Sequence, residues 1–155
     1  MSVWIVVTRR AMSSVALAVS WASSLTSFAT TANTAPLAPA RAGFLADSLP
    51  SWTPFPDTND ALGRLAAAGC RLGILSNVDD DLLAGTRRHF AAEFDPAIII
   101  TAQQVRAYKP APPHFEAARA RLGGQRWLHA AQSLFHDIAP ARRFGLEAVW
   151  INRKG

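Results

Sequence analysis

Arg71-Leu72-Gly73-Ile74-Leu75-Ser76-Asn77 is the stretch on which the reading of the chain turns. Its apolar residues run without alternation, as they do in a short strand covered on both faces. Upstream, Asp57 or Thr58 can cap a helix whose apolar face is Ala61, Leu62, Leu65 and Ala68, stopped by Gly69. Downstream, Asp79-Asp80-Asp81 opens a second helix with Val78, Leu82, Leu83, Thr86 and Phe90 at helical spacing. The pattern then recurs. Ala97–Thr101 is a β-branched strand, and Pro112-Pro113 start a helix carrying Phe115, Ala118 and Leu122, ended by Gly123-Gly124. Trp127–Ala131 is a third strand, Ile138–Phe144 a short helix closed by Gly145, and Ala148–Ile151 a fourth strand. Helices alternating with continuous apolar strands predict an α/β fold, a Rossmann-like parallel sheet with helices on both faces.

A chain of 155 residues, half of them hydrophobic and 17% charged, suits one compact domain with a real core. Composition divides it into an Ala/Ser/Thr-rich segment over residues 1–43 and an α/β core over 44–155. Three readings of residues 1–42 stay open: a targeting segment, an aberrant or divergent terminus, and a folded replacement element. Six Ser and one Thr make Ala11–Ala29 too polar for a membrane span. Arg9, Arg10 and Arg41 precede the first acid, Asp47, so this segment carries much of the net charge of +5. Arg87-Arg88, Arg142-Arg143 and Arg153-Lys154 are isolated pairs, which speaks against nucleic-acid binding. The single cysteine, Cys70, fits a small buried filler and a reducing compartment. The cytoplasm is therefore the expected location, with organelle or export targeting by residues 1–42 left open.

In a parallel sheet, ligands bind beyond the carboxyl ends of the strands. Ser76-Asn77, the Thr101–Lys109 loop and Gln132–Asp137 all fall there. Ser76 and Asn77, before a helix start, can hold a carboxylate or phosphate; alternatively Asn77 caps the next helix. Lys109 can neutralise negative charge at the strand edge, or lie in a solvated loop. Asp137 can cap a helix, orient Lys109, bind a cation or activate water. The acids Asp79–Asp81 read as surface that complements a helix dipole. His136 and Asp137 are adjacent and should point apart, which argues against a Ser-His-Asp triad. His89, His114 and His129 read as structural or surface residues, without metal-ligand spacing.

Taken in order, Leu75-Ser76-Asn77, Tyr108-Lys109-Pro110, Ser133-Leu134-Phe135-His136-Asp137 and Ala148–Arg153 resemble the later motifs of the haloacid dehalogenase-like hydrolases, in the type II 2-haloacid dehalogenase branch. The resemblance covers residues 44–155. It implies a small anionic substrate, a 2-haloacid or phosphate ester, held by Ser76 and Asn77. Lys109 would supply electrostatic stabilisation, and Asp137 would orient Lys109 or water. The family's reaction is displacement by an aspartate followed by hydrolysis of the ester. Phosphatases of the family hold Mg²⁺ on the last motif, where Ser133 here replaces one acid, leaving Asp137 alone as a weak metal candidate. The resemblance thus implies no cofactor, and it leaves a homodimer open. The chain departs from the family at Gln132, Leu134 and Phe115. The helical cap is reduced to Gly43–Trp52, which resembles only its exit. Residues 1–7 could form the family's first strand, with Thr8 in the place of the nucleophilic aspartate. The expectation is an incomplete hydrolase with little or no turnover, or a non-catalytic module that binds an anion or a partner.

Overall fold

The computed structural model describes residues 3–8 and 44–153. Its centre is a five-stranded sheet in the order β3-β2-β1-β4-β5. The strands are β1 (Val3–Thr8), β2 (Arg71–Ser76), β3 (Ile99–Thr101), β4 (Trp127–Ala131) and β5 (Glu147–Trp150). The pairs β2/β3 and β4/β5 are parallel, as the continuous apolar runs require.

The strand between β2 and β4 corrects one expectation. β1 runs antiparallel to both neighbours, with Val3 opposite Ser76 and Thr8 opposite Arg71 and Trp127. Thr8 therefore lies at the edge away from Ser76, and cannot stand in the nucleophile's place. Val-Trp-Ile-Val-Val-Thr is rich in β-formers from end to end, so its composition marks a strand without marking its direction. The expectations for residues 9–43 lie outside the described residues.

Among the described residues, six helices frame the sheet: α1 (Phe44–Ser48), α2 (Thr58–Ala67), α3 (Asp80–Arg87), α4 (Ala102–Val105), α5 (Pro113–Leu122) and α6 (Ala139–Arg143). Alternate strand residues face opposite layers. Leu72, Ile74, Ile99, Leu128 and Ala130 pack with Leu62, Leu65 and Leu83 of α2 and α3. Leu75, Ile98, Ile100 and Trp127 pack with Phe115, Ala118 and Leu122 of α5 and Ala141 of α6. Cys70 is buried and free, as a filler should be.

Gly73 allows a close approach inside β2. A Cβ there would fall 2.5 Å from Cγ2 of Ile98 and 2.8 Å from its carbonyl oxygen. The predicted strand Ala97–Thr101 is shortened at its start, because Pro96–Ile98 form a 3₁₀ turn. The Asp95 carboxylate, accepting from the amide of Ala97, caps that turn. At α5 the proline start and glycine stop are found as predicted, with Gly123 at φ 57°.

Candidate functional site

β2 delivers Ser76 to the carboxyl edge of the sheet and Asn77 just beyond it. Asn77 does not cap α3; Asp79 occupies the N-cap position. The Asn77 carboxamide instead clamps the backbone of Lys109. Its Nδ2 donates to the Lys109 carbonyl at 3.0 Å, and its Oδ1 accepts from the Lys109 amide at 2.7 Å. One side chain thus satisfies both backbone groups of a loop residue, which fixes where Lys109 starts. The Lys109–Pro110 peptide is cis.

From there the Lys109 side chain turns inward. Nζ donates to Asp137 Oδ1 at 2.7 Å and to the Leu75 carbonyl at 2.8 Å. Both side chains of the pair are fully buried. Asp137 reaches them from a π-helical turn, Leu134–Ile138, that follows β4. Ser133, not Asp137, caps that turn by accepting from the amide of His136.

The sequence reading missed His129. It lies on β4, fully buried, with Nε2 3.1 Å from Asp137 Oδ1. A histidine inside an apolar strand, eight residues before a buried acid, was the available signal. His114 of α5 joins the same region, its Nε2 3.1 Å from the Ser76 carbonyl. Four titratable side chains therefore meet here, where the sequence pointed to two. His136 turns to the Ser133 hydroxyl instead, Nδ1 to Oγ 3.0 Å, so no Ser-His-Asp triad forms.

Burial controls the charges. Loss of water pushes the Lys109 ammonium down to about 8, a fall that the negative charge of Asp137 limits. Desolvation raises the Asp137 carboxyl, but the Lys109 charge and the His129 hydrogen bond outweigh it and hold the acid below its usual range. His114 is pushed down to about 4, first by burial and then by Lys109. Burial also lowers His129. The cluster therefore holds one cation, one anion and two neutral rings.

Asp80 is an exposed acid in the first turn of α3, as expected, and its Oδ1 also accepts from Thr101 Oγ1 and from Gln104 Nε2, both at 2.8 Å. That bridge ties the start of α3 to the start of the loop that ends in Lys109. Among the described residues, no group of three or more His, Cys, Asp or Glu side chains is gathered for a metal ion. Asp137 gives Oδ1 to Lys109 and His129, and Ser133 offers a hydroxyl in place of a carboxylate, so these residues do not fit Mg²⁺.

Comparison with known proteins identifies the family. The family model for haloacid dehalogenase-like hydrolases matches residues 15–143. Haloacetate dehalogenase H-2 of Moraxella sp. (strain B) is 33% identical over 103 residues, covering 66% of this chain and 46% of that protein. The (S)-2-haloacid dehalogenase of Pseudomonas putida is 32% identical over 116 residues, covering 71% of this chain and 49% of that protein. Haloacid dehalogenase-like hydrolase domain-containing protein 3 of Danio rerio is 29% identical over 111 residues, 67% of this chain and 43% of that protein. The chain spans about half the length of the curated relatives it matches. With that match and an α/β sheet bearing the later motifs on one edge, the chain belongs to the haloacid dehalogenase-like hydrolase family.

Proposed function

We propose that this chain is a hydrolase of the 2-haloacid dehalogenase type that supplies charge stabilisation but no attacking carboxylate, and so turns over little or no 2-haloacid. The observation that carries this reading is the buried Lys109–Asp137 pair, tied to Leu75 and Asn77 at the end of β2, on a sheet whose central strand contains no acid. Residues 1–46 contain neither Asp nor Glu, and the β1 residue opposite Ser76 is Val3. In displacement chemistry, a carboxylate must approach the halogen-bearing carbon within van der Waals distance. Nothing on β1 can do so.

In this reading Lys109 and Ser76 oppose the substrate anion. Asn77 contributes by fixing Lys109, and Asp137 orients the Lys109 ammonium. Ser76 and Lys109 are buried, so an anion reaches them only if the edge opens. Support for the substrate class comes from the Moraxella and Pseudomonas relatives, named as a haloacetate dehalogenase and an (S)-2-haloacid dehalogenase. The misfit to Mg²⁺ favours this class over a phosphate ester. The free, buried Cys70 supports a reducing, cytoplasmic setting. No helix among the described residues is long and apolar enough to cross a membrane.

The test is halide release from 2-chloropropionate by the purified chain. No release above that of Lys109→Ala is expected. Release that disappears in a Lys109→Ala variant with an intact unfolding transition overturns the reading. A second reading, a non-catalytic module that binds an anion or a partner, is favoured by Tyr108, Leu134 and Phe135, which are exposed on segments flanking the Lys109–Asp137 pair. Calorimetry with phosphate and with 2-chloropropionate separates the two ligand classes.

A further inference from the structure

His129 takes no part in the reading above, yet it is the second donor to Asp137. It lies on the α5 face of β4, with its ring centroid 5.3 Å from that of Phe115 and 6.2 Å from that of Trp127. A ring enclosed by aromatic neighbours is poorly placed to carry charge. A neutral imidazole has one N–H, and an ionised carboxylate can only accept. Nε2 is 3.1 Å from Asp137 Oδ1, so the proton sits on Nε2. The other tautomer would set two acceptors against each other. Nδ1 is then left as a buried acceptor with no partner among the described residues.

The two oxygens of Asp137 are treated unequally. Oδ1 takes Lys109 Nζ at 2.7 Å and His129 Nε2 at 3.1 Å, whereas Oδ2 is buried with no partner among the described residues. The charged and titratable groups facing this carboxylate are Lys109 from the loop, His129 from β4 and, further away, His114 from α5. Among the described residues, His129 is the side chain that reaches the carboxylate from the sheet. Without it, the carboxylate would keep a single hydrogen bond among the described residues, the one from Lys109, and could turn about that contact. We propose that His129 is a positioning residue for Asp137: as the Nε2–H tautomer it holds the carboxylate ionised and oriented through Oδ1, and so holds the Lys109 ammonium in place. The consequence for anion binding rests on the function proposed above, but the geometry and its test do not.

The experiment is NMR on the ligand-free chain, following the Asp137 carboxyl carbon and the His129 ring nitrogens against pH. Wild type should show the Nε2–H tautomer at neutral pH. His129→Leu removes the donor, and Asp137 should then take its proton at least about one pH unit higher. His129→Gln can donate from its amide and should bring that midpoint back to within about half a unit of wild type. An unchanged midpoint in His129→Leu, or an Nδ1–H tautomer in wild type, overturns the proposal. If His129→Leu does not fold, the wild-type tautomer and His129→Gln decide it. No ligand or turnover enters the measurement, so its failure is distinct from failure of the proposed function.

Discussion

Two ion pairs in this molecule look alike on paper and differ in consequence. Arg153 holds Asp57 through two hydrogen bonds, at 2.8 and 2.9 Å, with its guanidinium 4.5 Å above the ring of Phe55. Lys109 holds Asp137 through one, at 2.7 Å. The first pair is partly exposed, the Asp57 side chain by 56%, whereas the second is wholly buried. Water competes for the first pair and compensates when it breaks. Nothing compensates in the second, so its partners depend on each other and on His129. Geometry alone would rank the arginine pair higher; burial reverses the order.

The sharpest way to break that contrast is to remove one buried partner. Lys109→Met leaves an uncompensated carboxylate in the core, and should cost about 3–5 kcal/mol. Lys109→Met with Asp137→Leu should recover most of that loss, since no buried charge remains. Urea unfolding of wild type, Lys109→Met, Asp137→Leu and the double variant measures both; an additive double variant would show that the pair is not coupled.

A medium effect should appear with pH. In the folded chain His114 stays neutral until about pH 4, whereas the unfolded ring takes its proton near 6.5. Between these values the unfolded state binds more protons, so stability rises with pH and falls on acidification. His129, lowered by burial, adds in the same direction. The loss from pH 6.5 down to pH 4 should be on the order of 2 kcal/mol, and His114→Gln should flatten it. Urea midpoints across that range test the slope. The exposed pair should stay silent there, because Asp57 is held below its usual range and remains ionised. The smallest effect belongs to that pair. Asp57→Ala should change stability by less than about 1 kcal/mol, with a part of that lost in high salt.

The regular parts of the fold were legible for identifiable reasons. Gly69, Gly123 and Gly145 all adopt positive φ where the sequence marks helix ends, and Pro113 opens α5 where the sequence marks a start. The order of Asn77, Lys109 and Asp137 along the chain pointed to one strand edge, and hydrogen bonds join Lys109 to each of the other two there. What Asn77 and Asp80 bond to was not legible. Each looks like a helix-start residue, and each bonds a partner more than twenty residues away. His129 was passed over for a related reason. In sequence it is one polar residue inside an apolar strand, and only the π-helical turn after β4 brings Asp137 back to it.

By itself, then, the sequence determined the α/β alternation, the edge at which chemistry would gather and the absence of an acid before Asp47, because turn residues, apolar runs and residue identity are local properties. Tertiary structure alone decided the direction of β1, the burial of the Lys109–Asp137 pair and the part played by His129. Strand polarity depends on where the chain enters the sheet. The state of a buried charge depends on which groups surround it in space, and neither is carried by any short stretch of residues.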